Sequence, residues 1–338
     1  MSQGTDEAAV RELADRYWDQ LLELEPLLAT QVGDERFDDR LPDPSEEGIA
    51  RRREVHEAAL RTAGRIAGRE RLDVVLRTTL DVLEAIARRE LAEIAHRFDR
   101  LRAVSHLWGP AQLLAELGSL QRADAPERLE RYLARLRGIP AYLEACGRVA
   151  RDGLREGQVA PRLVVERAAA QVERLLALPP EASPAVQPVP EADAGGRARV
   201  VEVLREAVLP AFEAYLATLR DYLPRARDTI GLSALIVDTG IHALGWPRER
   251  SIAVLEEAGV PHVDAVIETD RYVALPGQAL SYMVGMLEIQ RLRTEAAARE
   301  GAGFSLPAFH DRLLALGSLP LPALRRELAS RPPGPPAT

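Results

Sequence analysis

The chain of 338 residues contains no lysine, no asparagine and only one cysteine, Cys146. A single cysteine excludes a disulfide within the chain and favours a reducing compartment. Because Cys146 lies among apolar helical positions, we interpret it as a buried, inert thiol rather than a nucleophile. All 44 basic residues are arginines, which indicates the codon bias of a high-GC genome rather than a binding site.

The sequence also lacks a basic stripe and a long apolar run. Its 52 acidic residues outnumber the 44 arginines, for a net charge of -8, and the two signs are interleaved along most segments. Nucleic-acid binding is therefore not expected. No run of 18 apolar residues occurs, and the start, MSQGTDEAAVRELADRYW, lacks the pattern of a signal peptide. We expect no membrane segment and a cytoplasmic location.

Apolar residues recur at helical spacing and strand-like alternation is scarce, so an all-α, multi-helical fold is predicted. Two stripes are the clearest: Leu80, Leu83, Ala87, Leu91, Ile94, Phe98, Leu101, and Val201, Leu204, Val208, Phe212, Tyr215, Leu219, Tyr222. Proline content divides the chain into an N-terminal helical region at 1–177, a Pro-rich loop or linker at 178–196, a C-terminal helical region at 197–330 and a disordered tail at 331–338.

Motifs for metal chemistry are incomplete. Zinc hydrolysis on a helix needs His-Glu-x-x-His, because residues four apart share a face. The only His-Glu pair, His56 and Glu57, has Leu60 where the second histidine should stand. Glu93 and His96 have the Glu-x-x-His spacing of di-iron bundles, but no second copy exists. The sequence therefore predicts no metal and no cofactor.

Other catalytic motifs are equally partial. GLSAL at 231–235 falls short of the Gly-x-Ser-x-Gly elbow, and no Walker loop or Gly-x-Gly-x-x-Gly is present. Asp238 and His242 are four residues apart on a predicted helix. They are either a hydrogen-bonded pair that fixes the imidazole tautomer or a capping or packing pair, and the spacing favours the second reading.

The stretch PGQALSYMVGMLEIQ, from residue 276, predicts a helix with two distinct faces. Leu280, Met283, Val284 and Leu287 share one face, which we expect to be core. The other face carries Gln278, Ser281, Tyr282, Gly285 and Glu288. This second face is either an ordinary packing surface or the wall of a binding cleft, and periodicity alone favours packing.

Several blocks resemble the bacterial family DUF885, whose members are regarded as helical zinc metallopeptidases with a His-Glu-x-x-Pro-Gly-His helix. The blocks are WDQLLELEPLLATQVGDERFDDRLPD, ERLERYLARLRGIPAYLE, LPRARDTIGLSAL, IVDTGIHALGWPRERSIAVL, DRYVALPGQALSYMVGMLEIQRLR and FHDRLLALGSLPLPALRREL. They cover most of the chain in the family's order. The resemblance implies a metallopeptidase-like helical fold.

The resemblance also implies that a central segment is missing. Between Leu235 and Ile236, full-length members would carry a further segment with the zinc-binding helix and a downstream glutamate ligand. This chain passes straight across that position. It also has Met283 where the family pattern usually has lysine.

What remains, by resemblance, is the non-metal side of the family's cleft. His242 matches the histidine of the Asp-Thr-Gly-x-His block that begins at Asp238. Arg271, Tyr272, Gln278 and Tyr282 match positions expected to face substrate or the developing oxyanion. Without a zinc-activated water these residues would position a ligand but not cleave it.

Three hypotheses follow. The first is a non-catalytic, truncated homologue that retains binding of a peptide or small carboxylate. The second is an active metal-dependent hydrolase with a rebuilt site, in which His242, His262 or His310 recruits a metal across a subunit interface. The third is a helical interaction or scaffold protein, because a deletion would leave an apolar patch that a partner or a second copy covers. We favour the first, with a homo-oligomer as a further expectation.

Overall fold

The computed structural model describes residues 3–107, 109–226, 237–257 and 260–330. Within these residues the chain is helical throughout its regular structure and has no β-strand. The predicted all-α, multi-helical fold is therefore confirmed. No helix in these four ranges is both long and apolar enough to cross a bilayer.

Sixteen α-helices follow one another in the described ranges. In chain order they are α1 (Gln3–Leu24), α2 (Pro26–Gln31), α3 (Glu46–Gly64), α4 (Val74–Ala95), α5 (Asp99–Arg102), α6 (Leu113–Leu120), α7 (Pro126–Glu156), α8 (Arg162–Leu176), α9 (Ala194–Val203), α10 (Leu209–Tyr222), α11 (Thr239–His242), α12 (Arg248–Glu257), α13 (His262–Ala274), α14 (Gln278–Glu300), α15 (Leu306–Ala315) and α16 (Leu321–Ser330).

Contacts divide the chain into two compact units. Unit 1 comprises Met1–Tyr17, His56–Leu91 and Gly277–Thr338, and unit 2 comprises Trp18–Val55 and Ala92–Pro276. Both units are discontinuous in sequence, because each is assembled from segments that lie far apart along the chain. Changes of composition along the chain cannot reveal units that are assembled from distant segments.

The core of unit 2 is built around α7 and α10. Tyr132 and Leu136 from α7, and Phe212 and Leu219 from α10, are completely buried. Every residue of the predicted stripe from Val201 to Tyr222 is buried as well, so this stripe is confirmed. It runs from α9 through a π-helical turn at Leu204–Val208 into α10.

The other predicted stripe is only partly correct. Leu80, Leu83 and Ala87 are buried along α4, as is Ile94 near its end, but Phe98 is 42% exposed. The helix stops at Ala95, and Arg97 adopts a positive φ of 56°. The chain thus changes direction before Phe98, and helical periodicity no longer applies there.

The Pro-rich segment 178–196 packs onto the core of unit 2. It contains two short 3-10 turns, at Pro180–Ala182 and Pro184–Val186. Tyr132 Oη donates a hydrogen bond to the carbonyl of Ala185 at 2.7 Å, and Ala123 N donates to the carbonyl of Pro188 at 3.1 Å. Prolines lack the N–H that would pair these carbonyls in a helix. Donors from the core of unit 2 form the hydrogen bonds instead.

Unit 1 has its own small core, formed by α14, α15 and α16. Leu292 and Ala296 of α14 pack with Phe309, Leu324 and Leu328. The predicted core face at the start of α14 is wrong, because Val284 and Leu287 are 47% and 52% exposed. Only the C-terminal half of α14 carries buried large side chains; in the first half the buried residue is Ala279.

Candidate functional site

A tight turn after α11 shapes the candidate site in unit 2. A Cβ on Gly240 would lie 2.5 Å from the Trp246 ring, so only glycine lets the indole rest on α11. Gly245 supplies the left-handed turn, with φ of +65°, that brings Trp246 back over the helix. Trp246 N donates to the carbonyl of Gly240 at 2.9 Å and closes the turn.

Trp246 supports an arginine. The guanidinium carbon of Arg250 lies 4.0 Å from the centroid of the Trp246 ring, within the range of a cation–π interaction. Arg250 is exposed, and no carboxylate in the described part of the chain pairs with it. The indole therefore fixes a guanidinium whose donors remain available.

One buried carboxylate joins three helices of unit 2. Asp270 of α13 accepts hydrogen bonds from Arg167 of α8 and Arg248 of α12, each at 2.8 Å and each on a different oxygen. Asp270 is 7% exposed. Removing either arginine would leave part of a buried charge uncompensated, which is costly. This ion-pair cluster fixes α12, and with it Arg250, on the rest of unit 2.

The predicted residues Arg271 and Tyr272 belong to a second polar group on α13. Arg271 donates from Nε and Nη2 to the two oxygens of Glu268, at 3.1 and 2.5 Å. Its guanidinium carbon also lies 4.5 Å from the Tyr272 ring centroid. The hydrogen bonds from Arg271 hold the pKa of Glu268 below its usual range. Arg271 is therefore already bound to a carboxylate of its own helix.

Tyr272 is buried, with 7% of its surface exposed. Burial, reinforced by the hydrogen bond to Glu268, raises the pKa of Tyr272 to about 12. The phenol thus stays protonated at neutral pH. It can donate a hydrogen bond but is not a base.

The structure brings His242 to Tyr272. His242 Nε2 lies 3.3 Å from the carbonyl oxygen of Tyr272, so that nitrogen carries the proton and donates, which leaves Nδ1 as an acceptor. The His242 side chain is exposed. Asp238 is 2% exposed and makes no side-chain N-cap bond to α11.

The two remaining predicted residues, Gln278 and Tyr282, belong to unit 1. Gln278 is the first residue of α14 and is exposed, and its carbonyl accepts a hydrogen bond from Ser281 Oγ at 2.6 Å. Tyr282 is 69% exposed. A Cβ on Gly285 would meet nothing within 4 Å, so packing within the chain does not require glycine there.

A buried histidine lies close to the Asp270 cluster. His106 is 7% exposed, and its carbonyl accepts hydrogen bonds from Gln112 Nε2 and Gln171 Nε2, both at 3.1 Å. Burial lowers the pKa of His106, and the charge of Arg167 adds to this while Asp270 opposes it. Within the described ranges, His106 Nδ1 has no hydrogen-bond partner. Burial therefore favours the neutral imidazole in the folded protein.

A family model for bacterial proteins of unknown function, DUF885, matches residues 26–233 and 231–328. The chain belongs to the DUF885 family. The expected resemblance is thereby confirmed at the level of the family. No curated protein matches the chain in sequence.

Two solved structures share the fold of this DUF885 chain. A "putative lipoprotein" from Colwellia psychrerythraea matches with a TM-score of 0.78 and 13% identity, over 95% of this chain and 99% of the other. A "putative lipoprotein of unknown function" from Shewanella oneidensis matches with a TM-score of 0.50 and 16% identity, over 91% of this chain and 51% of the other. At these identities the likeness establishes the fold alone. The cytoplasmic location of this chain stays a prediction.

The described part of this DUF885 chain offers no ligand set for the zinc that the resemblance implies for full-length family members. A catalytic zinc takes three protein ligands and one open position. In the described ranges, no group of three or more His, Cys, Asp or Glu residues is placed to hold a metal. Two carboxylates of α13 are bound by arginines, Asp270 by Arg167 and Arg248, and Glu268 by Arg271. These residues do not fit a zinc ion.

The other histidines named for a rebuilt site have separate surroundings. His262 Nδ1 lies 2.6 Å from Glu256 Oε1, in unit 2. His310 belongs to unit 1, where its ring centroid lies 6.0 Å from that of Phe309. The GLSAL stretch, the Leu235–Ile236 junction and the tail at 331–338 lie outside the described residues.

Sequence reasoning missed Trp246, Arg250, Asp270 and His106. Trp246 and Arg250 stand four apart in GWPRER, a spacing that favours contact where the helix begins. Asp270 falls on the buried side of α13 with Val273, and a charge at such a position predicts a buried partner. Its arginines lie 103 and 22 residues away, so the sequence could not name them.

Protonation of His106 should make the folded protein less stable in weak acid. The unfolded imidazole titrates near pH 6.5, whereas the pKa of His106 is lowered in the fold. Its contribution to stability is therefore full above about pH 6.5 and is lost as pH falls through the lowered pKa. We expect the free energy of unfolding to drop less between about pH 7.5 and 5 in His106→Leu than in the wild type. Urea unfolding of the wild type and of His106→Leu across this pH range measures the two free energies.

The matched control is His310→Leu, which removes an exposed imidazole. It should keep the wild-type pH profile. Parallel profiles for the wild type and His106→Leu would contradict the assignment.

Proposed function

We propose that this chain is a non-catalytic DUF885 protein that binds a small carboxylate, such as the C-terminus of a peptide, at Arg250. The observation that carries the proposal is the Arg250–Trp246 stack, with 4.0 Å between the guanidinium carbon and the ring centroid. A guanidinium held on an aromatic face retains the planar pair of N–H donors that binds a carboxylate in bidentate fashion. Little side-chain entropy would then be lost on binding, because the stack orients Arg250 beforehand.

The remaining residues of the site support binding rather than bond cleavage. His242 Nδ1 is left as an acceptor that an N–H of the ligand could use, since Nε2 donates to the carbonyl of Tyr272. Arg271 is engaged by Glu268, so Arg250 is the better receptor for an incoming carboxylate. Tyr272, with a pKa of about 12, stays protonated and supplies no base.

Three further observations support a missing catalytic segment. This sequence contains no His-Glu-x-x-Pro-Gly-His motif. The two segments matched by the family model meet at residues 231–233, close to the Leu235–Ile236 junction. The fold also occurs within about half of the Shewanella oneidensis chain, as expected if longer relatives carry additional structure.

A second candidate function is self-association through α14, which would make the chain an interaction protein. Residues 278–287 carry no charge. Tyr282, Val284, Met286 and Leu287 in this run are between 43% and 69% exposed. Contiguous exposed apolar surface often marks an interface. Gly285, at a helix cost of about 1 kcal/mol relative to alanine, would let a second helix approach closely.

Arg250→Ala should abolish most of the carboxylate binding. Charge-assisted hydrogen bonds contribute about 1.5–3 kcal/mol. We therefore expect the dissociation constant to rise roughly tenfold to hundredfold. Arg250→Lys should recover only part, since an ammonium cannot form the bidentate pair. Isothermal titration with acetylated dipeptides measures this, and the C-terminally amidated dipeptides should not bind. Arg174→Ala, an exposed arginine elsewhere in unit 2, is the control. Equal losses in both variants would refute the site.

Purified protein should bind zinc substoichiometrically and should not hydrolyse peptides. The physical reason is the lack of three convergent ligands among the described residues. Elemental analysis after dialysis against zinc, together with a peptide-library cleavage assay with and without chelator, tests both. A known zinc peptidase is the positive control. Close to one zinc per chain with chelator-sensitive cleavage would support the rebuilt-site hypothesis instead.

Leu287→Glu should shift the protein from dimer to monomer. A buried, unpaired carboxylate at an apolar interface costs several kcal/mol. Sedimentation velocity over a concentration series gives the populations. Leu314→Glu is the matched control, because Leu314 is 76% exposed on α15 of the same unit. A wild-type protein that stays monomeric at all concentrations would exclude this second function.

A further inference from the structure

A cleft lies in unit 2, outside the Arg250 site. It has a volume of about 720 Å³ and runs between α9 and the Pro-rich segment before it. Ala194, Ala198 and Val201 of α9 supply its apolar lining, and Glu191, Glu202 and Glu206 are among its acidic residues. Clefts of about 300–1,000 Å³ are the size that accommodates small ligands and short peptide segments.

The charges of this cleft are unbalanced. Glu181 is a fourth glutamate of the lining, and the only cations there are Arg197 and Arg205. Arg205 pairs with Glu181, and Arg197 donates a hydrogen bond to the carbonyl of Val189 at 3.0 Å. The other three glutamates have no hydrogen-bond or ion-pair partner in the described ranges. The cleft therefore presents uncompensated negative charge beside apolar surface.

A π-helical turn forms one end of the cleft. The turn spans Leu204–Val208 and links α9 to α10. Leu204 and Val208 are completely buried, whereas Arg205 and Glu206 line the cleft. Single π-turns inside helices are rare and occur frequently at functional sites. Packing of Leu204 and Val208 holds this turn in place, although it interrupts the α-helical hydrogen bonds.

We propose that this cleft binds a short basic peptide segment. The alkyl stems of arginine or lysine side chains would lie on Ala194, Ala198 and Val201, because such stems bury well on small apolar surfaces. Their cationic heads would reach Glu191, Glu202 and Glu206. A helix face next to an extended, proline-rich wall gives room for a segment of several residues, whereas a metal ion would leave most of the volume unfilled. This proposal does not depend on the carboxylate site at Arg250.

The test uses the complete chain and a C-terminally amidated, fluorescein-labelled Arg-Ala-Arg-Ala-Arg peptide, followed by fluorescence anisotropy. The amide removes the carboxylate that the Arg250 site would bind. We expect a micromolar dissociation constant that weakens as salt is added, since screening reduces interactions between exposed charges. The triple variant E191Q/E202Q/E206Q should bind about tenfold more weakly. The matched control, E47Q/E166Q/E213Q, makes the same change in net charge at exposed positions of unit 2 outside the cleft. It should bind as the wild type does.

Three results would overturn the proposal. The first is no binding at low ionic strength, and the second is equal weakening in both triple variants, which would indicate attraction by the net charge of the protein. The third is displacement of the peptide by spermidine at equal affinity, which would make the ligand a small polyamine. Arg250→Ala should leave binding of the basic peptide unchanged, so that failure of this proposal and failure of the carboxylate site are distinguishable.

Discussion

The candidate site of unit 2 depends on the carboxylate of Asp270. Its two oxygens are bound by Arg167 and Arg248, so α8, α12 and α13 meet at one buried anion. Because a buried anion is stable only when it is paired and hydrogen-bonded, the three helices are constrained together. Arg250 and Tyr272 stand within two residues of this cluster on α12 and α13. The cluster thereby determines where both side chains lie.

The same cluster limits the chemistry of the site. Carboxylates that accept hydrogen bonds from arginines are stabilised as anions, and their lone pairs already point at guanidinium donors. Glu268, two residues before Asp270 on α13, is likewise bound by an arginine, Arg271. The groups that would have to serve as bases or metal ligands are thus engaged as structural anions. The accessible groups include the guanidinium of Arg250 on its indole, which we propose recognises an anionic ligand.

The two proposed binding sites of unit 2 combine apolar surface with charge, of opposite sign in the two sites. At Arg250 an aromatic ring holds a cation whose donors are not paired within the described residues. At α9 an apolar helix face lies beside glutamates that are likewise unpaired, next to a π-turn. In each proposal, apolar surface would supply contact area and charge would select the ligand. On α14 the apolar residues lack such a charge, so that surface favours another apolar surface, such as a second copy.

Local sequence determined the helical class and much of the core, because the 3.6-residue period is a property of neighbouring residues. The stripe from Val201 to Tyr222 demonstrates this. The predicted stripe failed beyond Ile94, because the backbone leaves the helical conformation at Arg97. The predicted core face of α14 failed because Val284 and Leu287 remain about half exposed. Periodicity states which residues share a face, but not whether anything packs against it.

The family blocks identified His242, Arg271 and Tyr272, and the structure brings them together in unit 2. Only the tertiary structure decided that Arg271 is bound by Glu268, that Trp246 holds Arg250, and that Asp270 finds Arg167 from 103 residues away. Long-range ion pairs and cation–π contacts depend on which helices become neighbours in space. A pattern within one segment carries no information about that choice, whereas residue types and their spacing suffice to form the helices themselves.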